Sequence, residues 1–306
     1  MKAGFLEPET RCGYHVTAEY KKLWSIEMEC YQQIAQVCER HGLRFYVGGG
    51  TLLGAVRHQG FIPWDDDMDV FMPEDDYMQF LYYAPLEINE PFFYQCYKSQ
   101  PGFTPCMSRV RKSGTTAATK NDLKNRDQNY HFGVFVDVIC LSSAANAGYA
   151  RSRQAARVRF YWKAITGFQK IRRLKASGNL RLKSYVSRSI LAWTIVNRFY
   201  TFDEMCDRYL EICSAKNSSS YGLIPFAGIV EKYIWPKEWW TGGTVMLPFE
   251  DIMVPCPKEY DKILTHQFGD YHVFQKGTAL HSLEIMDPYR PYQEVLAEHD
   301  SSLKKA

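Results

Sequence analysis

Asp67 and Asp69 stand two positions apart at the start of an apolar run, Met68 to Met72, about seventeen residues after three consecutive glycines, Gly48, Gly49 and Gly50. Alternate residues of an extended strand point the same way, so these two carboxylates can share one divalent cation. A glycine loop exposes backbone N–H groups that can hold phosphate oxygens. The combination suits an enzyme that moves a phosphate-linked group with metal assistance. Asp65 and Asp66 bring the cluster to four acids in five positions. An exposed acidic turn accounts for those two, because Asp is common in turns. It does not account for Asp67 and Asp69, since a carboxylate beside a buried strand needs a compensating cation. An EF-hand is excluded: counted from Asp65, the sixth position is Val70 rather than glycine and the twelfth is Asp76 rather than glutamate.

A third acid, Asp137, interrupts the β-like run Val134 to Ile139 (VFVDVI). Lone acids in apolar strands are costly unless paired, so Asp137 either completes a metal site or bridges to a buried arginine. The glycine loop alone is unspecific. It has neither the Lys-Ser/Thr ending of a P-loop nor a GxGxxG fingerprint, and an ordinary tight turn from strand to helix would use the same residues. Thr51 strengthens the phosphate reading: it is placed to cap a short helix, Leu52 to Arg57, with its hydroxyl and N–H toward a bound phosphate.

The elements that must position these groups follow from periodicity. Ala18 to Arg40 has helical spacing on Leu23, Ile26, Tyr31, Ile34 and Val37, with a glycine stop at Gly42. Arg44 to Val47 reads as a strand entering the glycine loop, Gln59 to Asp66 as a loop and Met68 to Met72 as a strand. Pro73-Glu74 opens a helix reaching about Tyr83. Strand-like runs follow at Phe92–Tyr97, Met107–Arg111 and Gly114–Thr119, and Lys120 to Tyr130 reads as a loop. Ala144 to about Phe199 is mostly helical with a break at Ser177-Gly178-Asn179. Helices are expected at Phe202–Ala215 and Lys258–Gln267. The architecture expected is α+β: a mixed β-sheet flanked by helices, divided into a catalytic core (1–143), a basic helical insertion (144–220) and a C-terminal part packing on the core (221–306).

At 306 residues with 46% hydrophobic and 15% aromatic content, the chain can bury a substantial core. Its N-terminus lacks the apolar core of a signal peptide, and no apolar run approaches a membrane span. Nine cysteines without a CxxC pair read as reduced, mostly buried thiols of a cytoplasmic protein, with no zinc site expected. The net charge of +3 conceals an asymmetry. No acid occurs between Asp137 and Asp203, while residues 151–198 carry thirteen Lys and Arg, leaving 24 basic against 34 acidic residues elsewhere. The block is either a solvated helical face or a contact for an anionic partner, a membrane surface or glycan; no nucleic acid is expected.

GGGTLLGAVRHQGFIPWDDDMD, followed by GVFVDV, resembles the LicD family of phosphocholine transferases, within the nucleotidyltransferase-fold superfamily. The run LPFEDIMVPCPKEYDKILTHQFGDY, with His281 after a gap, is similar to that family's C-terminal pattern, more loosely. The resemblance covers roughly Val47 to Asp137 and Pro236 to His281; the basic region lies outside it, and the zinc-binding insert of fukutin-related relatives is not visible. It implies a donor of the CDP-choline type and transfer of the phosphoalkyl group to a sugar hydroxyl of a lipopolysaccharide, teichoic acid or capsule precursor, releasing CMP. It places the metal pair on Asp67 and Asp69, the third carboxylate on Asp137, and the phosphate-holding turn on Gly49, Gly50 and Thr51. Arg57 matches a recurrent arginine and would pair with phosphate or with the acidic cluster, Asp65 in particular. Glu250, Asp251 and His281 match without an assigned role. Mg²⁺, or Mn²⁺ in its stead, is the expected cofactor. Trp64, beside the acids, and Trp235, Trp239 and Trp240 are aromatic faces that could meet a quaternary ammonium. The alternatives are an NTP-using nucleotidyltransferase, a CDP-ethanolamine, CDP-glycerol or CDP-ribitol donor, and a non-catalytic glycan- or membrane-binding relative. A cytoplasmic location, peripheral to the membrane face, is expected.

Overall fold

A computed structural model describes residues 4–123, 130–176, 188–275 and 283–303. A small antiparallel hairpin, β1 (Glu9–Arg11) and β2 (Tyr14–Val16), leads into α1 (Ala18–His41), where the Thr17 hydroxyl accepts from Tyr20 N at 3.3 Å. The expected helical stripe is the buried face of α1, and Gly42 ends it in the left-handed region at φ 63°. Next come β3 (Tyr46–Val47), α2 (Gly49–His58), β4 (Asp69–Pro73) and α3 (Glu74–Glu87). Three acids in the first turn of α3 complement its dipole. After β5 (Phe92–Gln95), β6 (Met107–Lys112), β7 (Thr116–Thr119) and the short α4 (Lys120–Leu123) the chain reaches β8 (Phe135–Ala144).

β8 is the hub of a seven-stranded mixed sheet, which is why Phe135 to Leu141 is apolar except at Asp137. It pairs parallel with β4 on one side and antiparallel with β6 on the other. β3 flanks β4, and β5 flanks β6. Three helices follow: α5 (Tyr149–Ala176), α6 (Arg188–Val196) and α7 (Phe202–Cys213), with α5 packed on both of the others. A full capping box at Thr201 and Glu204 starts α7. The expected break at Ser177-Gly178-Asn179 lies outside the described residues.

The C-terminal third is richer in strands than its proline- and aromatic-rich sequence suggests. β9 (Ser220–Gly222) joins the far end of β8, α8 (Ile224–Ala227) follows, and β10 (Ile234–Pro236) completes that edge of the sheet. Then α9 (Lys237–Thr241), the hairpin β11 (Thr244–Phe249) and β12 (Ile252–Pro257), and α10 (Tyr260–Phe268) cover α2 and β3. β13 (Leu283–Asp287) pairs with β7, ahead of α11 (Tyr292–Leu303). Two local expectations are corrected. Residues 120–123 form the turn of α4, held by reciprocal bonds between Thr119 and Asp122 at 3.1 Å, instead of a loop. And α2 begins at Gly49 with Gly48 as its cap, so Thr51 lies inside the helix and is not its cap. All nine cysteines are free thiols, eight of them buried.

Candidate active site

The registers of β4, β8 and β6 put Asp69, Asp137 and Arg109 in one row across three adjacent strands: Asp69 faces Asp137 in the parallel pair, and Arg109 faces Asp137 in the antiparallel pair. Side chains in one row of a sheet project from the same face. Upstream of β4 the chain is extended, and burial alternates with a period of two: Asp65, Asp67 and Asp69 are partly exposed, while Asp66, Met68 and Val70 are buried. Asp67, Asp69 and Asp137, some seventy residues apart in sequence, therefore converge. Asp65 belongs with them. The acidic-turn reading fails for both outer acids: Asp65 faces the site, and buried Asp66 accepts from Leu283 N at 2.7 Å, tying the start of β13 to the cluster.

The glycines let backbone approach carboxylate. A Cβ on Gly48 would lie 2.4 Å from the Phe71 ring, one on Gly50 2.7 Å from an Asp65 oxygen, and Gly49 has φ +52° with its Cβ position 3.1 Å from Asp69 Oδ2. The turn is stitched to β4 by Gly48 N to Asp69 O at 3.1 Å and by Asp69 N donating to the Thr51 hydroxyl at 2.8 Å. Thr51 is thus buried and committed to holding Asp69 in place; its hydroxyl does not face the cavity as expected, whereas Gly49 and Gly50 do.

These groups line a cavity of about 740 Å³ together with Arg57, Trp64 and Arg109. Its acids are poorly compensated. Burial, then the charges of Asp69 and Asp65, push Asp67 well above the usual carboxylate range; burial, then Asp137, does the same to Asp69. Burial and Asp66 push Asp65 up to about 6. The cation set among them is Arg109, whose Nε donates to Asp137 Oδ1 at 2.6 Å and whose Nη1 lies 3.3 Å from Asp122 Oδ1. Its guanidinium stands 4.0 Å from the centroid of the Phe135 ring, and its pKa is raised despite burial by Asp137 and Asp122. Asp137 therefore has the buried arginine partner and the carboxylate neighbour at once. Among the described residues no three acid, histidine or cysteine side chains already enclose a metal position. In chemistry the set does fit a hard divalent cation, with oxygen donors only and excess negative charge.

Arg57 makes no ion pair with Asp65 among the described residues. Its Nη1 donates to Tyr271 O at 2.8 Å, its guanidinium lies 4.7 Å from the Phe274 ring centroid, and its Nε has no partner among the described residues. Burial lowers its pKa. A cation without a carboxylate on the cavity wall is available to an anion. Trp64 meets Tyr14 and His58 edge-on. Trp235 and Trp240 are a buried T-shaped pair in the core, away from the cavity wall; Phe71, Phe103 and Phe135 line it instead. Glu250 is a structural clamp, bonded to both Arg11 Nη atoms and to Phe61 N at 3.0 Å. His281 lies outside the described residues.

Sequence reasoning missed Arg109, Asp122 and Glu27. Arg109 and Arg111 alternate around Val110 in β6 and are both buried, cations set against acids. Glu27 is the acid within the buried stripe of α1; burial, then Asp66, Asp65, Asp69 and Asp137, raise its pKa.

Residues 42–132 match the family described as LicD/FKTN/FKRP, nucleotidyltransferase domain. The chain is 58% identical over 45 residues to the lipopolysaccharide cholinephosphotransferase LicD of Haemophilus influenzae, covering 15% of this chain and 17% of that protein. It is 45% identical over 42 residues to the human ribitol 5-phosphate transferase FKRP, 14% and 8% of the two chains. An uncharacterized protein of Rickettsia typhi is 40% identical over 50 residues, 16% of each chain. The chain thus spans under a fifth of the length of the curated relatives it matches.

Proposed function

With residues 42–132 matching the LicD/FKTN/FKRP nucleotidyltransferase domain family, we propose that this protein transfers phosphocholine, or a related phosphoalkyl group, from a CDP-linked donor to a hydroxyl of a cell-surface glycan. The observation that carries the reading is the convergence of Asp67, Asp69 and Asp137 beside the Gly49–Gly50 turn in one cavity. The names of relatives that match short stretches of this chain support phosphoalkyl transfer, with choline in one and ribitol in the other.

Transfer of this type depends on positioning and charge neutralisation more than on covalent chemistry by the protein. Asp67 and Asp69, with Asp137 as third ligand, would hold Mg²⁺ or Mn²⁺, which neutralises a bound diphosphate. Gly49 and Gly50 hold the donor's phosphate oxygens through their amides, and Arg57 adds a fixed positive charge. The acceptor oxygen bonds to the phosphorus carrying the alkyl group, the bond from that phosphorus to the CMP oxygen breaks, and CMP leaves with the electron pair. The hydroxyl proton passes to a cluster carboxylate, Asp137 where it serves as proton acceptor instead of as third ligand. Aromatic rings on the cavity wall suit a quaternary ammonium, which offers no hydrogen bond.

The test is CMP release by purified protein with CDP-choline or CDP-ribitol, Mg²⁺ and glycan acceptors, with and without EDTA. Asp67→Ala and Asp69→Ala are expected to lose about a thousandfold or more in turnover while remaining folded. Wild-type rates in both variants would overturn the reading. Pyrophosphate release from an NTP, with no CMP formed, would assign the site to nucleotide transfer.

A further inference from the structure

The three-helix unit formed by α5, α6 and α7 carries a surface that the cavity chemistry does not use. On α6 the buried face is Ile190, Trp193 and Val196, packed toward α5, where Gly167 allows close approach: a Cβ there would lie 2.1 Å from Ser189 O. The opposite face is apolar as well. Leu191, Ile195 and, in the turn just after the helix, Phe199 recur every four residues and are 61%, 48% and 75% exposed. A soluble helix normally places polar residues there. The surrounding chain is cationic: no acid occurs between Asp137 and Asp203. Arg153, Arg157, Arg159, Lys163, Arg188 and Arg198 are exposed and make no ion pair among the described residues. An apolar ridge on a helix flanked in sequence by exposed cations, with the nearest acids, Asp203 and Glu204, starting only at α7, is the pattern of an interfacial helix. Among the described residues no helix is long and apolar enough to cross a membrane, so contact here would be with the surface.

We propose that α6 docks this protein on an anionic phospholipid surface, with Leu191, Ile195 and Phe199 entering the interface and the arginines and lysines of α5 and α6 meeting the headgroup phosphates. The inference is independent of the reaction in the cavity.

The experiment is co-sedimentation of the full chain with phosphatidylcholine vesicles and with equimolar phosphatidylglycerol and phosphatidylcholine vesicles. Binding is expected to the anionic vesicles only, weakened several-fold when NaCl rises from about 50 to about 500 mM. The triple variant Leu191→Ser, Ile195→Ser, Phe199→Ser should partition roughly tenfold or more weaker, with an unchanged melting temperature. If that variant does not fold, Phe199→Ser alone is the probe, since its side chain is the most exposed of the three, and a loss of about threefold or more is expected. No sedimentation with anionic vesicles at low salt overturns the proposal. So does wild-type partitioning by the folded variants. Capture by a soluble anionic polysaccharide that is indifferent to the serine substitutions overturns it in favour of a glycan contact.

Discussion

Arg109→Met isolates the electrostatics of the site. The substitution keeps an apolar stem against Phe135 and removes the cation between Asp137 and Asp122, whose side chains are 13% and 10% exposed. Breaking a buried pair by removing one partner costs about 3–5 kcal/mol, because the other charge stays buried. At roughly 2.1 cal/mol/K of melting entropy per residue, 306 residues give roughly 0.6 kcal/mol/K. The melting temperature in EDTA should therefore fall by about 5–8 °C. Arg109→Lys, which keeps the charge without the fork, should fall about half as far. Magnesium then becomes informative. Removing Arg109 leaves Asp137 without its competing cation, so its hold on an ion beside Asp67 and Asp69 should strengthen and Mg²⁺ should stabilise the variant more than the wild type. At a hundredfold excess over Kd a ligand contributes about 2.7 kcal/mol, here roughly 4 °C. The assay is calorimetry or dye-monitored melting with EDTA and with Mg²⁺. A variant melting within about 1 °C of wild type in EDTA would refute the pairing argument. No response to Mg²⁺ in either protein would refute the metal assignment.

Asp65→Asn tests the crowding of the acids through pH. A carboxyl raised in the folded state to about 6 from an ordinary value near 3.8 makes the native protein bind more protons than the unfolded chain, so stability falls as pH rises from about 4 to about 6. In EDTA the variant should match wild type near pH 4 and be the more stable protein at pH 7; equal melting across that range would show that Asp65 is not raised. Thr51→Val removes the acceptor for Asp69 N and should cost about 1–2 kcal/mol while leaving the KM for the CDP donor unchanged; a raised KM with normal stability would return Thr51 to the phosphate. Arg57→Met should raise the KM for the CDP donor about tenfold or more with little effect on melting, and an unchanged KM would remove Arg57 from the donor site. Gly48→Ala drives a methyl group into the Phe71 ring and should destabilise by about 1–3 kcal/mol, read as a lower urea midpoint.

Much of the fold was legible from the chain because local physics decided it. The stripe and Gly42 stop of α1, the acidic opening of α3, the apolar first half of β8 and the capping box of α7 each act within a few residues. The short strands of the C-terminal third were not legible, since β9, β10 and β13 are strands only by pairing with β8, β9 and β7 respectively.

The same division runs through the site. That Asp67 and Asp69 act on one side follows from the two-residue period of an extended chain, and that the glycines allow close approach follows from their missing Cβ. Tertiary structure decided the rest. Which acid stands beside Asp69, which arginine holds Asp137, and that Thr51 serves Asp69 are consequences of register between β4, β8 and β6 and of where α2 meets β4. Register is settled by the burial of whole strand faces, a sum over many distant residues that no single motif contains.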